Sequence, residues 1–361
     1  MNARLTIPFT GLRRQYNNLR EEILDVTDRV LTSGILMDGE HTENFEQWLC
    51  VKNSVSYAAV CHSGTQALEI IASYYNDYRE KPTILIPAST FPASGNAFIR
   101  AGWNIHFVDT DAYGIMNWDT VVRNGRYQAI LGIGLYGAAL PDSIKNQKGL
   151  IEDAAQHWLA DNCQRHGGAA AISFDPMKNL SNYGNGGAIV TNDAKLFDYA
   201  RNWTNNGKIT QHAEVGTNSR MSEVDCAQLM VKSRHIDNWQ NVRRHIAQYW
   251  MEQFKDANLR CLIDQSNFDT HCFHKFVIDI DDRDTVADKL KTRGIETKIH
   301  YKHPLTELGA YQQYQGPNII SAASSLSRRC LSLPIYPELT PTEVEYIADS
   351  VKDVTNLSLT S

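Results

Sequence analysis

Between residues 151 and 191 the chain sets out an acid, a serine and a lysine at intervals that suit one kind of chemistry. Ile151-Glu152-Asp153-Ala154-Ala155-Gln156 closes a short apolar run with an acid. Ala171-Ile172-Ser173-Phe174-Asp175-Pro176-Met177-Lys178 closes the next with a serine and then a lysine, and Tyr183-Gly184-Asn185-Gly186-Gly187-Ala188 leads into a third. A lysine amine forms a Schiff base with an aldehyde, and a carboxylate facing a pyridine nitrogen keeps that ring protonated as an electron sink. These are the needs of a pyridoxal 5′-phosphate (PLP) enzyme. Such an enzyme also needs a phosphate cradle of hydroxyls and helix-start amides, which Ser63-Gly64-Thr65 and Ser173 can build. The glycines after Lys178 let backbone approach a flat cofactor. Singly, each residue has a plain reading: Lys178 as a solvated charge, Asp153 as a helix cap, Gln156 as a surface residue, Ser63 with Thr65 as a helix start. The weight lies in their combination, one residue type at each strand end.

Those residues need a sheet to place them. Apolar, often β-branched runs recur at Thr83–Ile86, Ile105–Val108, Ala129–Ile133, Gly149–Ile151, Ala170–Phe174 and Ala188–Thr191. Starts about 20 residues apart leave room for crossover helices, the spacing of a mostly parallel α/β sheet, whose ligands bind at the carboxyl ends of the strands. Helical periodicity marks Arg13–Leu31 and Thr65–Tyr75, the latter opened by a Ser63-x-x-Gln66 capping box. Ser222–Phe254, long and free of proline, reads as one or two helices. A second α/β pattern follows, with a strand at Cys272–Ile280, a helix at Asp284–Thr292 ended by Gly294, a strand at Glu296–Ile299 and a terminal helix at Thr342–Val354. With a boundary near Asn241, the expected organisation is an arm (residues 1–12), a large domain (13–240) and a smaller C-terminal domain (241–361).

Composition narrows the function classes. The 361 residues carry 35 Lys+Arg against 41 Asp+Glu, a net charge of −6 with no basic block, so the electrostatic footprint of a nucleic-acid reader is missing. Seven scattered cysteines without a CxxC pair are not a disulfide framework. No run of 18 apolar residues occurs, and a soluble, cytoplasmic protein is expected. Gly132-Ile133-Gly134-Leu135-Tyr136-Gly137 matches the dinucleotide-binding GxGxxG pattern, but Pro141 and Asp142-Ser143 interrupt the helix that should follow, so a tight turn is expected there. His300-Tyr301-Lys302-His303 lacks a nearby carboxylate or cysteine, and no metal is expected.

On its motifs the sequence resembles the DegT/DnrJ/EryC1/StrS family of PLP-dependent nucleotide-sugar aminotransferases. The likeness spans nearly the whole chain: Ile7-Pro8-Phe9, Ser33-Gly34 with Gly39 and Phe45-Glu46, Ser63-Gly64-Thr65-Gln66-Ala67-Leu68, Thr90-Phe91, Glu152-Asp153-Ala154-Ala155-Gln156, Ser173-Phe174 with Lys178-Asn179-Leu180, Asn218-Ser219-Arg220-Met221-Ser222-Glu223, Ile299-His300-Tyr301 and Leu331-Ser332-Leu333-Pro334. The resemblance implies an α/β chain of the type I PLP-dependent aminotransferase fold, its large domain built on a mostly parallel seven-stranded sheet beside a smaller C-terminal α/β domain. It implies Lys178 as Schiff-base lysine and proton shuttle, Asp153 at the pyridinium nitrogen, Gln156 at the ring hydroxyl and Phe91 stacked on the ring. Gly64, Thr65 and Ser173 would hold the phosphate, Asn218 would reach the phosphate of a neighbouring subunit with Arg220 beside it, and His300 and Tyr301 would line the sugar pocket. It further implies a homodimer with composite sites, glutamate as amino donor and a nucleotide-linked keto-sugar, aminated at C3 or C4, as acceptor.

Departures from the family pattern are Asp175 and Met177 in the lysine loop, Asn185 where glutamate is common, and His157-Trp158-Leu159 after the acid segment. They bear on substrate more than on chemistry, and the Tyr183–Gly187 segment leans toward C3. A branch of the family with histidine in place of the lysine dehydrates its sugar, so Lys178 points to transamination. The competing expectations are a catalytically silent binding or regulatory protein on the same fold, and a nicotinamide oxidoreductase built on the glycine pattern.

Overall fold

The computed structural model describes residues 6–76, 81–117, 121, 127–141, 144, 147–160, 168–314 and 319–359, the last four of these in backbone only. Its larger sheet is made of β1 (Tyr57–Cys61), β2 (Thr83–Pro87), β3 (Asn104–Val108), β4 (Ala129–Ile133), β5 (Leu150–Asp153), β6 (Ala169–Ser173) and β7 (Gly187–Thr191). They lie in the order β1-β7-β6-β5-β4-β2-β3. Neighbours from β6 through β3 run parallel, and β7 is antiparallel to both β6 and β1.

Alternate residues of these strands feed two cores. Ala59, Ile84, Leu131, Ala171 and Ile189 face one side, where they meet α3 (Gly64–Tyr74), α4 (Pro92–Arg100) and α5 (Ala194–Thr204). Ala58, Val60, Ala170, Ile172 and Val190 face the other, against α1 (Leu12–Ser33), α2 (Glu40–Asn53) and α6 (Glu223–Ser233). A sheet covered on both faces needs apolar residues at every position, so its strands read as unbroken apolar runs rather than as alternation.

The helix α7 (Ile236–Asp256) carries the chain from this sheet to the next, with Trp239 in the core of the large sheet and Trp250 and Phe254 in that of the small one. The small sheet is antiparallel, ordered β10 (Cys330–Leu333), β9 (Phe276–Asp279), β8 (Arg260–Cys261). It packs with α8 (Arg283–Thr292) and α10 (Pro341–Leu359), while α9 (Ala322–Arg329) leads into β10.

The expected strands of the large sheet stand within two residues of their predicted limits. The Ser222–Phe254 segment is two helices, broken at Arg234–His235, and residue 241 lies within unbroken α7. Glu296–Ile299 is not a strand: Lys298 makes a single bridge to Ser332. The described part of the opening segment begins at Thr6 and is tied to the small domain by Ile7. Ile7 donates to Gly294 O at 2.8 Å, accepts from Glu296 N at 3.0 Å and is fully buried among Trp250, Phe276 and Ile295. The glycine pattern after β4 forms one 3-10 turn, Leu135–Gly137, with Tyr136 at φ 63°, and the backbone is extended again at Ala138; Asp142 and Ser143 lie outside the described residues. The described cysteines are all free thiols, Cys163 lying outside the described residues, and no described helix is long and apolar enough to cross a membrane.

Candidate active site

At the carboxyl end of the large sheet a cavity of about 330 Å³ opens between the strand ends, the starts of α3 and α4, and the turns beside the small sheet. Asp153, the last residue of β5, points into it. Its Oδ2 accepts from Ser94 Oγ at 2.7 Å and its Oδ1 from Ala155 N at 3.2 Å; Ser94 Oγ in turn lies 3.0 Å from Thr90 Oγ1. The acid is only 7% exposed, so these bonds fix the direction it presents.

Lys178 reaches the cavity from the loop between β6 and β7. Asp175 folds this loop, its Oδ1 accepting from Met177 N at 2.8 Å and its carbonyl from Lys178 N at 2.8 Å. Burial strips water from the Lys178 amine and lowers its pKa, with the charges of Asp153 and Asp175 acting in the opposite direction. A depressed amine pKa favours the free base that a proton-moving lysine requires.

The start of α3 lies directly on the end of β6. Ser63 caps the helix, its hydroxyl accepting from Gln66 N at 3.1 Å, although the Gln66 side chain does not return the bond and its nitrogen is buried without a partner. A Cβ at Gly64 would stand 2.7 Å from Ser173 Cβ, and one at Gly187 would stand 2.3 Å from the Ser63 carbonyl carbon. Glycine at both positions lets the helix start approach the strand ends. The first-turn amides of Gly64 and Thr65 are orphan donors facing the cavity with Ser173, an arrangement suited to an anion.

The remaining lining comes from aromatic and basic groups. Phe91 caps α4, is 55% exposed and has its ring 5.9 Å from that of Tyr301. Gln156 uses both ends of its amide: Oε1 accepts from Tyr136 N and Nε2 donates to the Tyr301 hydroxyl, each at 2.9 Å. That hydroxyl's pKa is raised by burial and by the Asp153 charge. His300 pairs through Nδ1 with Ser332 Oγ at 2.8 Å; loss of water, then the charges of Lys275, Lys178 and Lys298, push its pKa down to about 3, so its ring is neutral.

The cavity therefore brings together Gly64, Thr65, Phe91, Asp153, Gln156, Ser173, Lys178, His300 and Tyr301. Asn218 and Arg220 stand elsewhere. Asn218 bridges Asn205, and Arg220 pairs with Asp38 at 2.5 Å on a separate small cavity with Thr42 and Arg201. Ser219 between them accepts from His62 N at 2.7 Å, which sets this segment beside the end of β1.

The sequence profile of the DegT/DnrJ/EryC1/StrS aminotransferase family matches residues 17–352. The chain belongs to this family. A pleiotropic regulatory protein of Geobacillus stearothermophilus is 31% identical, covering 97% of this chain and 98% of its own. A UDP-N-acetyl-3-dehydro-alpha-D-glucosamine 3-aminotransferase of Acidithiobacillus ferrooxidans is 30% identical over 98% of this chain and 99% of its own. Among solved structures, S. venezuelae DesV superposes with a TM-score of 0.89 at 28% identity, over 96% of this chain and 98% of that one.

For a DegT/DnrJ/EryC1/StrS aminotransferase, the cavity residues fit PLP: a cradle that a Cβ at Gly64 would fill, orphan helix-start amides, a hydrogen-bonded acid and a desolvated amine. Family motifs outside the cavity hold the fold around it. The Glu223 carboxylate accepts from Gly39 N, His41 N and Thr42 N at 2.8–3.0 Å, tying α2 to α6, and Glu46 accepts from Val60 N at 2.9 Å beside Arg201. Four residues bearing on the site were not singled out from sequence: Ser94, Tyr136, His274 and Lys275. Ser94 holds the acid, and Tyr136 donates its backbone N–H to Gln156 Oε1 and its hydroxyl to His300 O at 2.6 Å. His274 and Lys275 line the cavity just ahead of β9. A serine within the helical run after Phe91 was a signal for the first; nothing local marked the other three.

Proposed function

We propose that this chain is a PLP-dependent sugar aminotransferase that moves an amino group from glutamate onto the keto carbon of a nucleotide-linked deoxy-sugar. The observation that carries the reading is one cavity holding a desolvated Lys178, a hydrogen-bonded Asp153 and the open start of α3. Bound PLP supplies the electron sink that makes the proton on the amine-bearing carbon removable. Lys178 removes that proton and delivers it back to the acceptor carbon in the reverse half-reaction. Asp153, held by Ser94, presents its carboxylate to the ring nitrogen. Gly64 and Thr65 amides with the Ser173 hydroxyl bind phosphate, and Phe91 covers a ring face. Gln156 acts on the ring edge and anchors Tyr301, placing the sugar-facing wall.

The positions of Asn218 and Arg220 outside this chain's own cavity support a homodimer in which that segment completes the partner's site. Amination at C3 is the reading we favour, supported by the 3-aminotransferase name of the Acidithiobacillus relative. We read residues 13–240 and 241–361 as two domains joined through α7, working in the cytoplasm. The nicotinamide reading loses its support because the third glycine, Gly137, ends a turn and is followed by extended backbone at Ala138 instead of opening a helix. A regulatory reading draws on the name of the Geobacillus relative, and single-turnover amine transfer separates it from catalysis.

The test is the visible absorption of the purified protein with PLP. A PLP band that glutamate bleaches, and that Lys178→Ala lacks, is expected; no band under any condition overturns the reading.

A further inference from the structure

Lys275 is 5% exposed and lines the cavity, yet no carboxylate oxygen among the described residues lies within 4.0 Å of its Nζ. Its polar contact is a 3.3 Å bond to Met177 O, and its Nζ sits 5.3 Å from the Phe9 ring centroid. The other buried Lys and Arg side chains among the described residues have contacts of their own. Arg243 donates to Phe273 O and Ile335 O, Arg283 to Ser327 O and Cys330 O, and Lys232 donates to Ser181 O at 2.7 Å with the Tyr183 ring centroid 3.6 Å away. None of these three lines the cavity. A buried ammonium is costly unless paired. Lys275 keeps two N–H donors beyond the bond to Met177 O, matching the two oxygens of a carboxylate.

We propose that Lys275 is the carboxylate-recognition residue of this cavity, pairing with a carboxylate of the molecules that exchange the amino group there: an amino-acid donor or an acidic sugar. This rests on the aminotransferase reading, in which Lys178 and Asp153 are committed to the cofactor and leave Lys275 for substrate. The charged groups around it are Lys178, Arg243 and Lys298, which with burial depress its pKa, and Asp175, which opposes them; His274, itself held neutral by burial, completes the wall. Burial and the neighbouring cations lower the Lys275 pKa, whereas a bound carboxylate favours the ammonium, so binding one is linked to proton uptake.

The experiment is calorimetric titration of the PLP-loaded protein at neutral pH in two buffers of different ionisation heat. The probes are glutarate, which has the carboxylates of an amino-acid donor without its amine, and the pair UDP-glucuronate and UDP-glucose. Expected for the wild type is carboxylate binding with net proton uptake. Lys275→Met should weaken it by about tenfold or more and abolish the uptake, whereas Lys275→Arg should keep the binding without the uptake. An effect on glutarate alone assigns the donor, and one on UDP-glucuronate but not UDP-glucose assigns an acidic sugar. Equal carboxylate affinity in wild type and Lys275→Met overturns the proposal, as does a Met variant that loses PLP while binding carboxylates unchanged. The PLP band of each variant reports that it has folded, and its absence from the wild type would undo the aminotransferase reading instead.

Discussion

The cavity has two unlike walls. One is made of strand ends and helix starts of the large sheet, where Asp153 has its Ser94 hydroxyl, Gln66 N its Ser63 cap and Met177 N its Asp175 carboxylate. The other is made of turns beside the small sheet, where His274, Lys275 and His300 are basic groups stripped of water and pushed toward their uncharged forms. Fixed partners orient a group before substrate arrives, whereas withheld charge responds to what binds. On the proposed function the first wall runs the chemistry and the second chooses the molecule.

Lys178→Ala breaks the first wall most severely. Steady-state amine transfer should fall by about 10³-fold or more, the scale of a lost proton-moving group; wild-type turnover in this variant would place the chemistry elsewhere. Ser94→Ala tests whether the acid is oriented by its hydroxyl. Losing a hydrogen bond to a carboxylate should lower kcat by about tenfold or more. In an Asp153→Asn background the same change should have far less effect, and equal effects in both backgrounds would show that Ser94 does not act through Asp153.

Gly64→Ala probes the seat between helix and strand. With its Cβ 2.7 Å from that of Ser173, something has to move, and a cost of about 1–3 kcal/mol is expected. PLP titration and thermal melting read it together. Weaker PLP binding with a lower Tm supports the cradle, and unchanged PLP affinity removes it.

The two walls were not equally legible in the sequence. Asp153, Ser173 and Lys178 stand at the ends of runs buried on both faces, and such runs announce themselves. β1 did not, because Tyr57–Cys61 is a short run of small residues whose pairing partner, Gly187–Thr191, is far away in the chain. Glu296–Ile299 reads as a strand from its place in the second α/β pattern, yet it makes one bridge, Lys298 to Ser332, and no ladder. Lys275 fell within an apolar segment read as a strand from Cys272; β9 begins at Phe276, and the two residues before it turn into the cavity. Gln156 was readable as a ring contact, but its bonds to Tyr136 and Tyr301 depend on a left-handed turn 20 residues upstream and a loop 145 residues downstream. Periodicity reports burial along an element, not which distant turn will cover it.

The smallest effect belongs to the second wall and is a matter of pH. His300 has its pKa pushed down to about 3, so the folded protein holds it neutral while the unfolded chain protonates it near 6.5. Between those values the unfolded state binds the extra proton. The contribution of His300 is therefore complete above about pH 6.5 and is lost as pH falls toward 3, with a limiting slope of about 1.4 kcal/mol per pH unit. His300→Gln cannot titrate, so its denaturant-unfolding free energy should fall less steeply than the wild type's from pH 6.5 to 4.5. Parallel slopes would show that the imidazole is already solvated or charged in the folded protein, and the distinction between a wall of fixed partners and a wall of withheld charge would fail at its most exposed basic member.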